Sequence, residues 1–219
     1  MKKDETNDLA DWRDAGSRSE RSERIRAALL RAAAEVVGEV GYADASITMI
    51  TQRAGVAQGT FYNYFKTRQD ILDALLPDLG ESMLDYVRAK AVGGNSFADL
   101  EERSFRAFFS FLKETPQFSR ILNEAETFAP AAFQKHLENV SRRYIRFLKR
   151  SLQAGEFPEY SQADLEVVAY ILMAARSYLS QRYRTEDGSR VELPKSVSRT
   201  YMKFVLYGML GRPSTTTPK

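Results

Sequence analysis

The sequence predicts an all-α protein: an N-terminal three-helix helix-turn-helix domain followed by a larger helical domain. Three observations carry this. Apolar residues recur at spacings of three and four from Ile25 to Met209, the period of helices that bury one face. Residues 46–65, SITMITQRAGVAQGTFYNYF, hold apolar side chains, a turn glycine and polar side chains in the order a helix-turn-helix needs. Helix-opening residues at Ser46, Thr67, Pro116, Ser161 and Pro194 punctuate the chain. With 219 residues and 43% apolar content, the chain is long enough for a small domain and a larger one with a real core. The expected boundaries are a disordered arm over 1–17, a helix-turn-helix domain over 18–66, a larger helical domain over 67–211 and a flexible tail over 212–219.

The arm carries five acidic and three basic side chains and no apolar periodicity. The first helix runs through Ile25, Leu29, Ala32, Ala33, Val36, Val37 and Val40 to Gly41. Arg18, Arg21, Arg24 and Arg26 at its entrance are placed to grip a DNA backbone, where free helix N–H groups also favour phosphate. Charge alone does not identify such a role. The net charge is +3, and residues 18–70 hold eight Lys or Arg against six Asp or Glu, so placement matters more than amount.

Ser46 is a good N-cap, and Ile47, Ile50 and Ala54 follow on one face of a two-turn helix. Gly55 stands where a chain leaving a helix commonly needs positive φ. Val56, Phe61 and Tyr64 or Phe65 pack back on that helix, leaving Gln58, Gly59, Thr60, Tyr62 and Asn63 at the exposed start of a second one, the end that enters the major groove. Gln and Asn can match an adenine edge, Thr can offer a methyl to thymine, and tyrosine hydroxyls can reach phosphate oxygens.

The run Ala54-Gly-Val-Ala-Gln-Gly-Thr-Phe-Tyr-Asn-Tyr-Phe-Lys-Thr-Arg-Gln-Asp-Ile-Leu72 resembles the signature of the TetR family of bacterial transcriptional regulators, over roughly residues 22–72. Two positions depart from it: Thr51 stands where the family usually has alanine, and Arg68 where it often has lysine. The resemblance implies DNA contacts by Arg21, Arg24, Thr48, Gln58, Gly59, Thr60, Tyr62, Asn63, Tyr64 and Arg68. Within these, Gln58, Thr60 and Asn63 are expected on bases, and Tyr62, Tyr64 and Arg68 on phosphates.

Beyond the motif, Thr67 and Asp70 form a capping box for a helix through Ile71, Leu72, Leu75, Leu76 and Leu79, with Pro77 expected to kink or restart it. Phe105, Phe108, Phe109 and Leu112 mark the next helix. Pro116 opens another with Phe118, Ile121 and Leu122, and Phe128 and Phe133 flank Pro130. Leu137, Val140, Tyr144, Phe147 and Leu148 follow, with an end near Gly155. Such stripes are first of all core, and their aromatic excess also suits an adaptable apolar pocket. The resemblance assigns ligand binding and dimerisation to the domain over 67–211, with an inducer inside it. The expected lining is Phe105, Phe109, Leu122, Phe128, Phe133, Tyr144, Tyr170 and Met173, with Arg176 either paired to Glu124 or Glu126, exposed at a dimer edge, or holding an anionic effector head.

Ser161 and Asp164 cap a helix bearing Leu165, Val168, Ala169, Leu172, Ala175 and Leu179. Pro194 opens the last, with Val197, Tyr201, Phe204, Val205, Gly208 and Met209. In the resembling family the equivalent pair makes a four-helix bundle with its two-fold mate, which implies a homodimer on palindromic double-stranded DNA.

Zero cysteines exclude thiol chemistry and thiolate metal sites, and the single histidine, His136, is expected to line a pocket or lie at the surface. No nucleophile–base pair, phosphate loop or metal motif can be assembled, so no enzyme, cofactor or metal is expected. No apolar run reaches membrane-spanning length, which gives a cytoplasmic expectation and no membrane partner. The sequence thus points to a transcriptional repressor released by a small apolar or amphipathic effector. The alternative is a helical small-molecule or partner-binding protein without sequence-specific DNA binding.

Overall fold

In the computed structural model the described residues are 17–185, 191 and 193–209. The expected arm before Ser17, the tail over 212–219 and residues 186–190 of the charged loop before the last helix lie outside them. Among the described residues the elements are α1 (Arg18–Asp44), α2 (Ile47–Ala54), α3 (Gln58–Phe61), α4 (Arg68–Ala91), α5 (Phe97–Glu114), α6 (Gln117–Phe128), α7 (Pro130–Gln153), a 3₁₀ turn (Gln162–Asp164), α8 (Leu165–Arg182) and α9 (Lys195–Met209). The only extended pairing among them is an isolated bridge between Arg184 and Val191. The chain forms two compact units: Met1–Leu79 with Gln117–Lys135, and Gly80–Pro116 with His136–Lys219.

In the first unit, α1 opens with a capping box in which Ser17 Oγ accepts the Glu20 N–H (3.2 Å) and the Glu20 carboxylate accepts the Ser17 N–H (2.9 Å). Leu29, Ala32, Ala33, Val36 and Val37 are buried along one face. The helix breaks where expected, at Gly41 (φ +86°), and continues for one more turn to Asp44. That conformation is open to glycine because it lacks a Cβ. Helix α6 buries Phe118, Ile121 and Ala125 and packs along α1. Gly38 permits the approach, since a Cβ there would lie 2.5 Å from the Cβ of Gln117.

The expected cap of α4 is present: Asp70 Oδ2 accepts the N–H groups of Lys66 and Thr67 (both 3.0 Å), and Thr67 Oγ1 accepts the Asp70 N–H (3.1 Å). Pro77 does not make the chain restart, because α4 runs through it as one element to Ala91. Pro130 opens the 24-residue helix α7. A proline at a first helical position lacks only an N–H that has no helical partner anyway.

In the second unit, α5 buries Phe97, Phe105, Phe108, Phe109 and Leu112. The Phe97 ring meets those of Phe157 (4.6 Å) and Phe147 (5.6 Å), and Phe105 stacks on Tyr201 of α9 at 4.0 Å. Helix α8 buries Leu165, Val168, Ala169 and Leu172 and leaves Val167, Tyr170, Ile171 and Tyr178 exposed. Helix α9 buries Tyr201, Met202, Val205 and Met209. Phe204, grouped by its spacing with the apolar stripe, points outward at 73% exposure beside exposed Tyr207.

His136 is not at the surface. It is buried on α7 against Gly80 of α4, where a Cβ would overlap the imidazole. Burial pushes its pKa down to about 4. The unfolded chain therefore binds a proton below pH 6.5 that the folded chain refuses until about pH 4. Stability is fully present above pH 6.5 and is expected to fall by roughly 3 kcal/mol as pH drops to 4. Urea denaturation between pH 7 and 4.5 measures this, and His136→Gln should flatten the slope over that window.

Candidate functional site

Ser46 Oγ accepts the Met49 N–H (3.2 Å) and starts α2, whose Ile50, Thr51 and Ala54 are buried. Thr51 fits in place of alanine because its hydroxyl turns back onto its own helix, donating to the Ile47 carbonyl (2.9 Å). Gly55 adopts the left-handed conformation (φ +67°), its N–H donating to Gln52 O (3.2 Å) and that of Val56 to Thr51 O (3.1 Å). The chain then reverses into α3. Phe61 and Phe65 are buried with ring centroids 5.7 Å apart, fixing this segment against the core.

The regular helix is shorter than its pattern suggests: one turn, Gln58–Phe61, continued by turns in which the Asn63 N–H donates to Thr60 O (3.2 Å) and the Tyr64 N–H to Phe61 O (2.9 Å). Gln58, Gly59, Tyr62 and Asn63 are exposed, as is Thr48 on α2, while Thr60 and Tyr64 are half-buried. An open cleft of about 720 Å³ is lined by Arg18, Arg21, Ser22 and Ile25 of α1 together with Gly55, Val56, Ala57, Thr60, Asn63 and Tyr64. The entrance of α1 and the polar segment after Gly55 thus share one surface. Arg24 is exposed on the same turn, and the Arg26 guanidinium lies over the Phe65 ring at 5.6 Å.

Arg68 is placed differently from its expected phosphate contact. Its guanidinium donates to the carbonyls of Tyr42, Ala43 and Ala45, the residues that lead from α1 into α2. Lysine, with one compact ammonium, could not span three carbonyls in this way.

In the second unit, Arg176 pairs with neither Glu124 nor Glu126. Its partner is Glu101 of α5, whose carboxylate is fully buried: Arg176 Nη2 donates to Glu101 Oε1 (2.7 Å), Ser104 Oγ (2.8 Å) and the Tyr144 hydroxyl (3.1 Å). Tyr201 donates to Glu101 Oε1 (2.6 Å) and Tyr144 to Oε2 (2.5 Å). The guanidinium also lies over the rings of Tyr144 (5.2 Å) and Phe105 (5.8 Å). Burial, reinforced by Glu101, pushes both tyrosine hydroxyls up, so they remain donors. Burial opposes the Arg176 charge, and Glu101 outweighs it, holding Arg176 protonated. Its Nε is buried with no acceptor.

Glu101 was hidden in the sequence within Asp99-Leu-Glu-Glu-Arg103, which reads as a solvated charged face. A signal existed: Phe97, Glu101, Ser104, Phe105 and Phe108 share one helical face. Of the expected pocket residues, Phe105, Phe109, Tyr144, Tyr170, Met173 and Arg176 belong to the second unit, and Leu122, Phe128 and Phe133 to the first. Phe128 stacks on Tyr42 with centroids 6.0 Å apart, and Tyr170 is exposed on α8.

A family model described as "Bacterial regulatory proteins, tetR family" matches residues 29–75, from within α1 through the helix-turn-helix into α4. Residues 29–75 thus form a TetR-type DNA-binding domain. It is similar to an uncharacterized HTH-type transcriptional regulator of Bacillus subtilis, 27% identical over 194 residues that cover 84% of this chain and 92% of the relative. Among solved structures it resembles a TetR-family transcriptional regulator from Pectobacterium atrosepticum (TM-score 0.67, 23% identity, 90% of this chain and 99% of that one). It also resembles the Bacillus subtilis regulator FadR in complex with stearoyl-CoA (TM-score 0.68, 19% identity, 84% and 98%). The chain is accordingly an all-α, DNA-binding transcriptional regulator with a TetR-type helix-turn-helix domain. Among its described residues no helix is long and apolar enough to cross a membrane, and no group of three or more His, Asp or Glu could hold a metal ion.

Proposed function

We propose that this regulator is a cytoplasmic repressor that binds a palindromic operator as a homodimer and is released by a small apolar or amphipathic effector. The observation that carries the reading is the set of exposed polar side chains, Gln58, Asn63 and half-buried Thr60, on a segment anchored by Phe61 and facing the arginines of α1 across one cleft. In this reading the head spans 18–66. Gln58, Thr60 and Asn63 meet bases, Arg21, Arg24, Thr48, Tyr62 and Tyr64 hold the backbone, and Gly59 lets the duplex approach. Arg68 acts one step back, by fixing the α1–α2 connection.

The exposed faces of α8 and α9 support dimerisation through these helices. Two heads on a two-fold axis read half-sites about one helical turn, or a multiple of it, apart. The effector is assigned to the domain over 67–211, with Phe105, Phe109, Tyr144 and Met173 as apolar wall and the free Arg176 Nε as the seat for an acceptor on its polar end. The stearoyl-CoA seen in a fold relative makes a long-chain acyl thioester the first compound to try. An effector that favours a state with unsuitably spaced heads need supply only about 2.7 kcal/mol of coupling to weaken DNA binding 100-fold.

Selection of bound fragments from a random DNA pool tests the reading. A palindrome is the expected product; folded protein that enriches no sequence at any salt moves the partner-binding alternative into first place. On the selected operator, Gln58→Ala is expected to cost about 1–3 kcal/mol while leaving scrambled DNA unaffected. Equal loss on both sequences removes its base-reading role.

A further inference from the structure

The break in α1 is satisfied from outside its own helix. Around Gly41 the backbone groups lose their regular partners. Side chains of α6 replace them: Arg120 Nη1 donates to the carbonyls of Gly38 (3.3 Å) and Glu39 (2.8 Å), and Glu124 Oε2 accepts the Tyr42 N–H (2.8 Å). A bond of 2.7 Å from Arg120 Nε to Glu124 Oε1 fixes the pair. A side chain at the bend would displace this pair, since a Cβ on Gly41 would lie 2.7 Å from Arg120 Nη2. All these contacts lie inside the compact unit that carries the helix-turn-helix.

This arrangement does more than close a core. The residue held by Glu124 is four positions before Ser46, the N-cap of α2, and the carbonyls of Tyr42, Ala43 and Ala45 are taken by Arg68. The connection between α1 and α2 is thus bonded from α6 and from the start of α4, and its direction fixes that of the polar segment beyond Gly55. A purely structural seat could be apolar. Directional bonds from an ion pair to backbone hold one angle, which apolar packing alone does not.

We infer that Arg120 and Glu124 are positioning residues that set the angle of the DNA-reading segment. The inference rests on the DNA-reading role proposed above for that segment. The test uses full-length Arg120→Ala, Glu124→Ala and Glu124→Gln, the operator selected by the wild type and a scrambled duplex. Both alanine variants should lose about tenfold or more in operator affinity, yet bind scrambled DNA within about twofold of wild type with an unchanged salt slope, because no phosphate contact is removed. Glu124→Gln, which keeps an oxygen for the Tyr42 N–H, should recover most of the loss. Operator affinity within twofold of wild type in both alanine variants overturns the inference, as does equal loss on operator and scrambled DNA. Thermal unfolding checks each variant. If the alanines do not fold, Arg120→Lys, which keeps the charge but loses the fork, carries the test with the same expected direction.

Discussion

Glu101→Ala is expected to lower the stability of the protein by about 3–5 kcal/mol, because it leaves the Arg176 guanidinium buried without its counter-charge. The loss goes beyond one ion pair. Glu101 accepts from Arg176, Tyr144 and Tyr201, so its removal strands donors from α7, α8 and α9 that α5 had gathered. Arg176→Met should cost a similar amount for the converse reason, an uncompensated carboxylate. The double variant Glu101→Leu with Arg176→Met should be less destabilised than either single one, since removing both charges also removes the desolvation penalty. Glu101→Gln should fall between wild type and Glu101→Ala, as an amide keeps one acceptor for the tyrosines. Urea denaturation of wild type, Glu101→Leu, Arg176→Met and the double variant closes a double-mutant cycle. A strictly additive result would mean that Arg176 and Glu101 do not stabilise each other, and would leave Arg176 free to be read as a ligand residue alone.

The same cluster marks the limit of what the sequence discloses. The helix-turn-helix is legible because its determinants are local: the Ser46 cap, the apolar spacing to Ala54, the left-handed Gly55 and the return at Phe61 lie within sixteen residues. Capping boxes at Thr67 and Ser161 are legible for the same reason. Arg68, Glu101 and the Arg120–Glu124 pair are not, because their meaning depends on partners 23 to 100 positions away. A guanidinium two residues after Lys66 looks like a phosphate ligand until the end of α1 is seen beside it. Glu101 looks solvated until the opposite helices arrive. Phe204 errs the other way: its spacing from Tyr201 and Val205 suggests the core, yet only the face through Tyr201, Val205 and Met209 is buried.

That outward face supports the largest expected functional effect. Phe204→Glu, or Ile171→Glu on α8, places a charge on an apolar surface that a two-fold mate would cover, and should yield a folded monomer. Because both side chains are exposed in the isolated chain, at 73% and 54%, neither change disturbs the core, and far-ultraviolet circular dichroism should match wild type. The effect on DNA should nonetheless be severe. Each head presents a single helical turn and its following residues, so a monomer engages one half-site, whereas a dimer makes the second engagement intramolecular. Loss of that advantage corresponds to about 10²–10⁴ in operator affinity. It should appear with no change in the handful of phosphate contacts per head, so the salt slope should roughly halve rather than vanish. Sedimentation of wild type and Phe204→Glu at matched concentration, alongside operator titration, separates the possibilities. A variant that remains dimeric and binds operator normally would place the two-fold contact elsewhere, while a monomer with undiminished affinity would mean that one head suffices and that the palindrome is not the target.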